Sequence, residues 1–410
     1  MRILYFHQYF KTPTGAGGTR SYEMAKSLIE NGHTVTMVYL LSYRAKSPIS
    51  EQPFYKGIRR GNVDGIDLIE LDLDYSGKMG LVKRSWVFLK YSFKSVKLAF
   101  NENYDLLFAT STPLTAGIPG IVMKLSGKKK PFVFEVRDLW PELPKALGVI
   151  KNPFILWLLG VLESVSYKKA DACVALSPGI KKGIEKKIKK NKKVELIPNG
   201  CDLDLFKPGN HPKSIFHNVS EDQMVATFMG AHGIANGLDA VLDAASILKK
   251  LGYEQKIKLV FIGDGAKKTD LLERKSRENL NNCLFINPVP KKELIEYMHA
   301  SDVGLMILNN IPAFYYGTSP NKFFDYISSG LPVINNYPGW LADMINENNC
   351  GIAVPPDSPK LLANALIYLF KNPQERIKMG ESARELAVSK FDRNILASKL
   401  ESLLIETYSK

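Results

Sequence analysis

Residues 317–334, GTSPNKFFDYISSGLPVI, join the start of a helix to a buried strand. The Gly-Thr-Ser-Pro turn predicts a helix that begins at Asn321, with Ser319 as its cap and Pro320 in its first turn. Gly330 is placed to end that helix, and the apolar residues after it read as a strand. A helix that leads directly into a buried strand is typical of an α/β protein.

The same stretch carries opposite charges on its helix. Lys322 lies at the helix start, where free backbone N–H groups and the helix dipole favour an anion such as phosphate. Asp325 lies one turn later and could accept hydrogen bonds from a sugar hydroxyl. An ordinary capped surface helix is the alternative interpretation.

The rest of the chain repeats the alternation of strand and helix, which implies parallel sheets covered by helices. A chain of 410 residues exceeds what one hydrophobic core normally serves, so we expect two Rossmann-like domains joined near residues 200–215. Strands are predicted at 2–6, 33–40, 106–109, 132–136, 172–176 and 194–197, and then at 224–229, 258–262, 284–286, 303–307 and 332–334.

Composition narrows the class of protein. No apolar run reaches about 18 residues, so no transmembrane helix is predicted, and the N-terminal residues read as a strand rather than a signal peptide. The four cysteines lack the spacing of a metal site and read as free thiols of a reducing cytoplasm. They are Cys173, Cys201, Cys283 and Cys350.

The net positive charge of the chain comes from its first half. Residues 1–200 hold 32 Lys and Arg against 17 Asp and Glu, whereas the remaining residues hold 23 against 24. An anionic partner should therefore meet the first half. An anionic membrane surface and a nucleic acid are both candidates.

Two segments of that half interleave lysines with large apolar residues. Residues 81–100, LVKRSWVFLKYSFKSVKLAF, have the spacing of a basic amphipathic helix that lies in a membrane interface, and residues 153–159 form a second apolar segment. The run 181–193 adds eight lysines, which would strengthen attraction to anionic lipid. Alternatively, both segments are core helices with solvated lysines.

The stretch 317–334 resembles the nucleotide-sugar signature of the retaining GT-B glycosyltransferases of family 4, where a lysine and an acidic residue precede a GxPVI strand. Asp325 stands at the second position of that family's Glu-x7-Glu pair, but Gly317 stands at the first. This departure is similar to the subgroup of O-antigen, capsule and colanic-acid assembly that includes N-acetylfucosamine transferases. The linker 198–202, PNGCD, also resembles the family's crossing between domains.

The resemblance implies the GT-B fold, an α/β architecture of two Rossmann-like domains that face each other across a cleft. Residues 1–200 would form the acceptor-side domain and residues 206–390 the domain that binds the nucleotide sugar. The last helix, within residues 391–410, would pack back on the first domain. The implied enzyme is a hexosyltransferase.

For the donor, the resemblance implies that Lys322 and Asp325 hold the diphosphate and the ribose, and we count both as catalytic. The loop 14–20 is similar to the family's GG-x-x-R loop, and residues 261–265 to its iGdG turn, although Gly263 could simply serve a tight turn. The predicted binding residues are Gly17, Gly18, Arg20, His232, Gly233, Gly263, Val289, Asn321, Lys322 and Asp325.

The loop after the strand 132–136 supplies the third predicted catalytic residue. Most of the family has a histidine here, whereas residues 134–142, FEVRDLWPE, show the RDLWPE run of the subgroup. Asp138 is therefore predicted to contact the transferred sugar or the acceptor hydroxyl. A structural ion pair of Arg137 with Asp138 or Glu142 is the alternative.

The implied reaction moves a sugar, N-acetylated by subgroup likeness, from a UDP-sugar to a polyprenyl-diphosphate-linked acceptor in bacterial surface polysaccharide assembly. From this resemblance no cofactor and no metal are expected, because GT-B enzymes generally neutralise the leaving diphosphate with helix dipoles and cations from the protein. The enzyme would be peripheral on the cytoplasmic face of the inner membrane and would bind no nucleic acid. A GT-B sugar-nucleotide epimerase or hydrolase and a basic nucleic-acid-binding protein remain alternatives, although no nucleic-acid-binding module is recognisable.

Overall fold

The computed structural model describes residues 1–13, 18–42, 47–75 and 79–410, apart from the side chains at 41, 42 and 81. The chain divides into two compact units, each with its own sheet and hydrophobic core. Unit 1 comprises Met1–Pro198, Gly317–Ser319 and Asn394–Lys410, and unit 2 comprises Asn199–Tyr316 and Pro320–Arg393.

Unit 1 is built on an eight-stranded sheet in the order β3-β4-β2-β1-β5-β6-β7-β8. All neighbours are parallel except the β3–β4 hairpin, which is antiparallel. Five-residue strands such as β1 are buried along most of their length, as expected for a parallel sheet covered by helices. The strands are β1 Arg2–Phe6, β2 Thr34–Ser42, β3 Ile58–Val63, β4 Ile66–Tyr75, β5 Leu106–Thr110, β6 Phe132–Val136, β7 Ala172–Ala175 and β8 Val194–Leu196.

The helices of unit 1 begin where the sequence supplies caps. The Asn152 side chain accepts hydrogen bonds from the backbone of Phe154 and Ile155, and Ser177 accepts one from Ile180. Both contacts satisfy N–H groups that have no acceptor within their own helix. The helices are α1 Arg20–Glu30, α2 Leu81–Asn101, α3 Ile118–Leu125, α4 Glu142–Ala146, α5 Pro153–Lys169 and α6 Pro178–Glu185, with a short 3-10 turn at Leu114–Gly117.

Unit 2 contains six parallel strands in the order β11-β10-β9-β12-β13-β14. Numbered within the unit, this is the 3-2-1-4-5-6 order of the Rossmann fold, so strand order reverses between β9 and β12. The structure confirms the prediction of two Rossmann-like α/β domains. The strands are β9 Met224–Met229, β10 Ile257–Ile262, β11 Cys283–Ile286, β12 Val303–Met306, β13 Val333–Asn335 and β14 Gly351–Ala353.

Helices of unit 2 cover both faces of this sheet, and a final helix joins unit 1. They are α7 Asp239–Lys250, α8 Lys268–Arg277, α9 Lys291–His299, α10 Pro312–Gly317, α11 Asn321–Ser328, α12 Trp340–Glu347, α13 Pro359–Lys371, α14 Pro373–Lys390 and α15 Arg393–Tyr408, with 3-10 turns at Lys213–Phe216 and Ile234–Asn236. Leu396, Leu400 and Leu404 of α15 belong to the core of unit 1. Within the described ranges, no helix is both long and apolar enough to cross a bilayer.

One tyrosine fixes α11 against the sheet of unit 2. The Tyr326 hydroxyl accepts a hydrogen bond from the Met229 backbone N–H at 2.9 Å and donates one to the Thr227 carbonyl at 3.1 Å. Its ring lies against Gly304 of β12, where a Cβ would come within 2.5 Å of the ring. The absence of a side chain at Gly304 therefore lets α11 lie over the point where strand order reverses.

The start of α11 differs from the sequence prediction in one detail. The helix begins at Asn321, as predicted, but the residue in the cap position is Pro320 rather than Ser319, and Pro320 has no side-chain acceptor. At the other end, Gly330 follows the helix with a φ of 71°, a conformation that favours glycine. At the start of the helix, the Phe323 N–H donates to the Pro320 carbonyl at 3.2 Å, and the N–H groups of Asn321 and Lys322 precede it.

We expect Tyr326→Phe to lower the free energy of unfolding by about 1–3 kcal/mol, because it leaves a buried N–H and a buried carbonyl of β9 without that partner. Urea denaturation followed by far-UV circular dichroism measures the change. Tyr368→Phe is the control, since Tyr368 is 45% exposed on α13. Equal stability of the two variants would show that the Tyr326 hydroxyl does not hold α11.

Candidate functional site

The carboxyl ends of β9 and β10 and the start of α11 come together in unit 2. The Lys322 ammonium donates a hydrogen bond to the Asn236 side-chain oxygen at 2.9 Å and lies 3.8 Å from the centre of the Phe228 ring. The Asn236 amide in turn donates to the Ala231 carbonyl at 2.7 Å, which fixes its orientation. Parallel α/β sheets bind ligands at such a point, beyond the carboxyl ends of the strands.

Lys322 is poorly hydrated and has no carboxylate partner within the described part of the chain. Burial alone lowers the pKa of its ammonium from 10.5 to about 7. A bound anion would favour the charged form and raise that pKa again. The arrangement can therefore bind a phosphate while the lysine takes up a proton.

Two glycines allow the loops after β9 and β10 to touch. A Cβ at Gly230 would lie 3.4 Å from the Lys322 ammonium, and a Cβ at Gly263 would lie 1.9 Å from the Gly230 carbonyl oxygen. Both residues also have positive φ values, 146° and 152°. Packing of one loop on the other is thus sufficient to explain the glycine at position 263, in line with the tight-turn alternative.

His232 is placed differently from its predicted role. Its side chain has no exposed surface, neither ring nitrogen has a hydrogen-bond partner, and the rings of Phe228, Phe261 and Phe285 surround it. Burial first, and then the charge of Lys268, lower its pKa to about 4, so the ring is neutral. The ring supports the loop after β9 from inside and does not face solvent. The sequence analysis did not predict this position, because a sequence pattern does not distinguish a buried from an exposed histidine.

Asp325 lies on the same helix as Lys322 but among other charges. Its carboxylate interacts with Lys291, Arg393 and Asp202. Burial raises its pKa from 3.8 to about 6, the nearby Asp202 adds to that rise, and the two cations oppose it. Above pH 6 it is an ionised acceptor for hydroxyl groups.

The remaining predicted binding residues of unit 2 are accessible. Gly233 has open space where a Cβ would stand, Asn321 begins α11 half-buried, and Val289 is half-buried in the loop after β11. None of them has a side-chain hydrogen bond to Lys322 or Asp325. In unit 1, Gly18 lies in an exposed position before α1, whereas Gly17 lies outside the described residues.

Arg20 was predicted to bind a ligand, but the structure places it inside unit 1. Its guanidinium is 3% exposed and pairs with Glu135 at 2.8 Å. It also donates to the carbonyls of Ile197 and Pro198 at 2.9 and 2.5 Å. Every guanidinium nitrogen is therefore used within the protein, and the loop similarity could not reveal the buried partner on β6.

Asp138 lies with other polar groups at the carboxyl ends of β1, β5 and β6. Its carboxylate accepts a hydrogen bond from the Thr112 hydroxyl at 2.9 Å, and burial raises its pKa. The Arg137 backbone N–H donates to the Ser111 hydroxyl at 3.0 Å, and its guanidinium lies 3.4 Å from the His7 ring. Within the described residues Arg137 forms no ion pair with Asp138 or Glu142, which argues against the alternative of a structural pair.

The sequence analysis missed several residues that lie around Lys322 in unit 2 and around Asp138 in unit 1. His7 and Ser111 directly follow buried strands and Thr112 comes one residue later, and that position was a usable signal. Tyr326 gave no such signal, because its hydroxyl contacts depend on the glycine at position 304.

No candidate metal centre is found among the residues that the structure describes. Within the described ranges, no group of three or more His, Cys, Asp or Glu side chains lies close enough together to hold an ion. The expectation that the reaction needs no metal stays a prediction.

The sequence matches two families of known proteins, one for each half. Residues 17–205 match "Glycosyltransferase Family 4", and residues 211–386 match "Glycosyl transferases group 1". The boundary between the units falls after Pro198, seven residues before the end of the first match and thirteen residues before the start of the second.

Curated relatives align with about half of the chain. A D-inositol 3-phosphate glycosyltransferase of Corynebacterium glutamicum is 26% identical over 52% of this chain and 51% of its own length. A putative teichuronic acid biosynthesis glycosyltransferase of Bacillus subtilis, TuaH, is 23% identical over 49% of each. The chain thus spans about half the length of these relatives.

Solved structures resemble the whole chain. Sucrose-phosphate synthase from Thermosynechococcus elongatus matches with a TM-score of 0.77 at 18% identity, over 100% of this chain and 99% of its own. Anabaena HepE in complex with UDP matches with a TM-score of 0.71 at 16% identity, over 99% and 100%. At these identities the likeness shows the fold alone. Since both family matches and the fold agree, the chain is a glycosyltransferase of GT-B architecture, with a family 4 domain in its first half and a group 1 domain in its second.

Proposed function

We propose that this protein transfers a sugar from a UDP-sugar to a polyprenyl-diphosphate-linked acceptor, with retention of configuration, in the assembly of a bacterial surface polysaccharide. By subgroup likeness the sugar is N-acetylated. The observation that carries the proposal is the position of Lys322 at the point where strand order reverses in unit 2. This half-buried cation has no carboxylate partner among the residues that the structure describes.

The donor is proposed on the chemistry of that point. A diphosphate needs cations and N–H donors, and Lys322 and the backbone N–H groups at the start of α11 would supply both. Asp325 would accept hydrogen bonds from the ribose or sugar hydroxyls. The complex of HepE with UDP supports a uridine nucleotide, and TuaH, named for teichuronic acid biosynthesis, supports a polysaccharide product.

The proposed reaction requires little from the protein beyond charge and position. The bond between the anomeric carbon and the UDP oxygen breaks, and Lys322 with the helix N–H groups stabilises the departing diphosphate. The acceptor hydroxyl attacks the same face of the oxocarbenium-like sugar and gives its proton to that diphosphate. Asp138 would contact the transferred sugar or the acceptor hydroxyl.

A membrane surface is proposed as a partner because α2 carries an exposed apolar stripe. Val82, Trp86, Leu89 and Phe93 follow one another at helical spacing and are 50–77% exposed. Val82 and Trp86 line an open groove together with Lys83 and Lys90. A helix that buries Tyr91 and Leu98 on one side and exposes this stripe on the other is suited to a lipid interface.

Helix α5 presents a second exposed apolar surface on the same unit. Phe154, Ile155, Trp157, Leu158 and Val161 are 43–64% exposed, and α3 packs against both α2 and α5. The core-helix alternative for residues 153–159 therefore does not describe these side chains. We propose that the enzyme is peripheral, on the cytoplasmic face of the inner membrane, where a lipid-linked acceptor would be reached.

Part of the basic charge is already used inside unit 1. Lys187 pairs with Glu163, Lys193 pairs with Glu406, and Lys192 donates to backbone carbonyls. Lys83, Lys90, Lys145 and Lys151 form no ion pair within the described residues and remain for anionic lipid. Each such lysine near the surface contributes roughly 1 kcal/mol.

We expect Lys322→Ala to reduce turnover of a UDP-sugar by at least about a hundredfold, because removing a group that stabilises the leaving charge costs about 2.7–4 kcal/mol. Release of UDP in the presence of acceptor measures the rate. Lys250→Ala is the matched control, an exposed lysine of the same unit. Near-normal turnover of Lys322→Ala would contradict the role of this lysine.

UDP affinity should fall as pH rises above about 7. The pKa of Lys322 is about 7 without a ligand, and bound diphosphate raises it, so binding takes up a proton in this window. Asp325 and His232, with pKa values of about 6 and about 4, have lost their protons there. Calorimetry at pH 8 in two buffers of different ionisation enthalpy measures the uptake, and Lys322→Ala should abolish it.

Membrane binding should depend on the apolar stripe of α2. We expect Trp86→Ser with Phe93→Ser to reduce the fraction of protein that sediments with vesicles of anionic and neutral lipid, because two exposed aromatic rings no longer enter the interface. Replacing Lys83, Arg84, Lys90 and Lys94 by Gln should also release protein, although Arg84 and Lys94 already donate to the carbonyls of Met79 and Gly57.

The matched control for the membrane experiment is Tyr368→Ser with Ile377→Ser, two exposed apolar residues of unit 2. Vesicle binding of this variant should equal that of the wild type. Unchanged sedimentation of the α2 variants would remove the membrane from the proposed partners.

A further inference from the structure

We infer that Arg137 binds a phosphate group through the Nε–Nη2 edge of its guanidinium, and that His7 is the positioning residue that orients it. The inference rests on the proposed function, which supplies phosphate on both substrates. It adds a cationic subsite in unit 1, on residues that the sequence analysis did not assign to a ligand.

The backbone fixes Arg137 at the carboxyl edge of the sheet. It directly follows β6, and its N–H donates to the Ser111 hydroxyl after β5 at 3.0 Å. The next residue, Asp138, accepts a hydrogen bond from Thr112 at 2.9 Å. The loops after β5 and β6 are thus joined at two adjacent positions, beside β1, where strand order reverses in this sheet.

His7 holds one side of the guanidinium. Its ring is 5% exposed, and Nε2 lies 3.4 Å from Nη1 of Arg137. An arginine can only donate, so Nε2 is the acceptor and the ring proton lies on Nδ1. Burial and the charge of Arg137 lower the pKa of His7 well below its usual value, which keeps the ring neutral and able to accept.

The contact with His7 leaves the opposite edge of the guanidinium available. Within the described residues, no side chain or carbonyl accepts from Nε or Nη2 of Arg137. Two parallel N–H groups on a planar fork match two oxygens of a phosphate. Such an edge recognises phosphate in preference to a neutral hydroxyl.

Within the described residues, no carboxylate forms a direct ion pair with Arg137. Burial alone would raise the pKa of Glu135, yet Arg20 in direct contact and Arg137 at longer range hold it below its usual value. Asp138 is directed to Thr112, and burial raises its pKa. Arg20 thus forms the direct ion pair with Glu135, whereas Arg137 acts on Glu135 and Asp138 only at longer range and keeps one edge of its guanidinium for a charge from outside the chain.

The phosphate could come from the lipid-linked acceptor or from the nucleotide donor, and one binding experiment separates them. Calorimetry of the full chain measures UDP alone and then farnesyl diphosphate with UDP saturating. If the acceptor supplies the phosphate, Arg137→Gln should weaken farnesyl diphosphate binding about tenfold to a hundredfold and leave UDP unchanged. If the donor supplies it, the loss should appear with UDP instead.

Unchanged affinity for both ligands in Arg137→Gln would overturn the inference. If the proposed function itself were wrong, the result would be different, because the wild-type protein would then not bind UDP. Arg2→Gln is the matched control, because Arg2 is a half-exposed arginine of unit 1 paired with Asp105. If Arg137→Gln does not fold, Arg137→Lys keeps the charge without the planar fork and should show a smaller loss of the same affinity.

His7 is tested by a readout that a purely structural role would not change. His7→Phe should raise the KM for the substrate that carries the phosphate, by about three- to tenfold, with kcat little changed. His7→Gln, whose amide oxygen can still accept from Arg137, should restore that KM. If both His7 variants lose thermal stability equally and share one KM, His7 does not act through Arg137.

Discussion

The hydrogen bonds between the Tyr326 hydroxyl and strand β9 determine where the functional groups of unit 2 can lie. They join the Met229 N–H and the Thr227 carbonyl to α11, whose Tyr326 ring lies where a Cβ on Gly304 of β12 would stand. Lys322 stands one turn before Tyr326 on the same helix. Its position over the end of β9 is therefore set by a contact within the core, not by the loop in which the helix starts.

In both units, some charged side chains pair within the protein and stabilise the fold, whereas others remain available to a ligand. In unit 2, Lys291 and Arg393 pair with Asp202, and Lys268 donates to the Gly263 carbonyl. In unit 1, Arg20 is matched by Glu135. Buried ion pairs of this kind are costly to break because one charge would be left without a partner. The presence of a basic residue in a loop therefore did not identify a ligand-binding cation. Arg20 is an example, since it was predicted to bind a ligand but pairs with Glu135.

The sequence predicted the parallel strands well because their apolar runs, bounded by glycine and polar loops, reflect burial on both faces. It missed the β3–β4 hairpin, although Asp64 and Gly65 form the two-residue turn with positive φ at both positions that Asp-Gly favours. The positions of Lys322 and Asp325 followed from the helix and strand pattern. Whether His232 is buried or exposed did not, because that depends on the rings of Phe261 and Phe285, which are distant in sequence.

The low pKa of Lys322 shows why a half-buried lysine suits this position. An ammonium with little water around it attracts an anion more strongly than a hydrated one, because the effective dielectric constant is lower. The same burial favours loss of the proton, so at a pKa of about 7 the free site near neutral pH holds a mixture of charged and neutral lysine. A phosphate that binds there selects the charged form, and the affinity includes the cost of that selection. Contact with Asn236 and the face of Phe228 limits this cost, because both groups stabilise the ammonium without neutralising it.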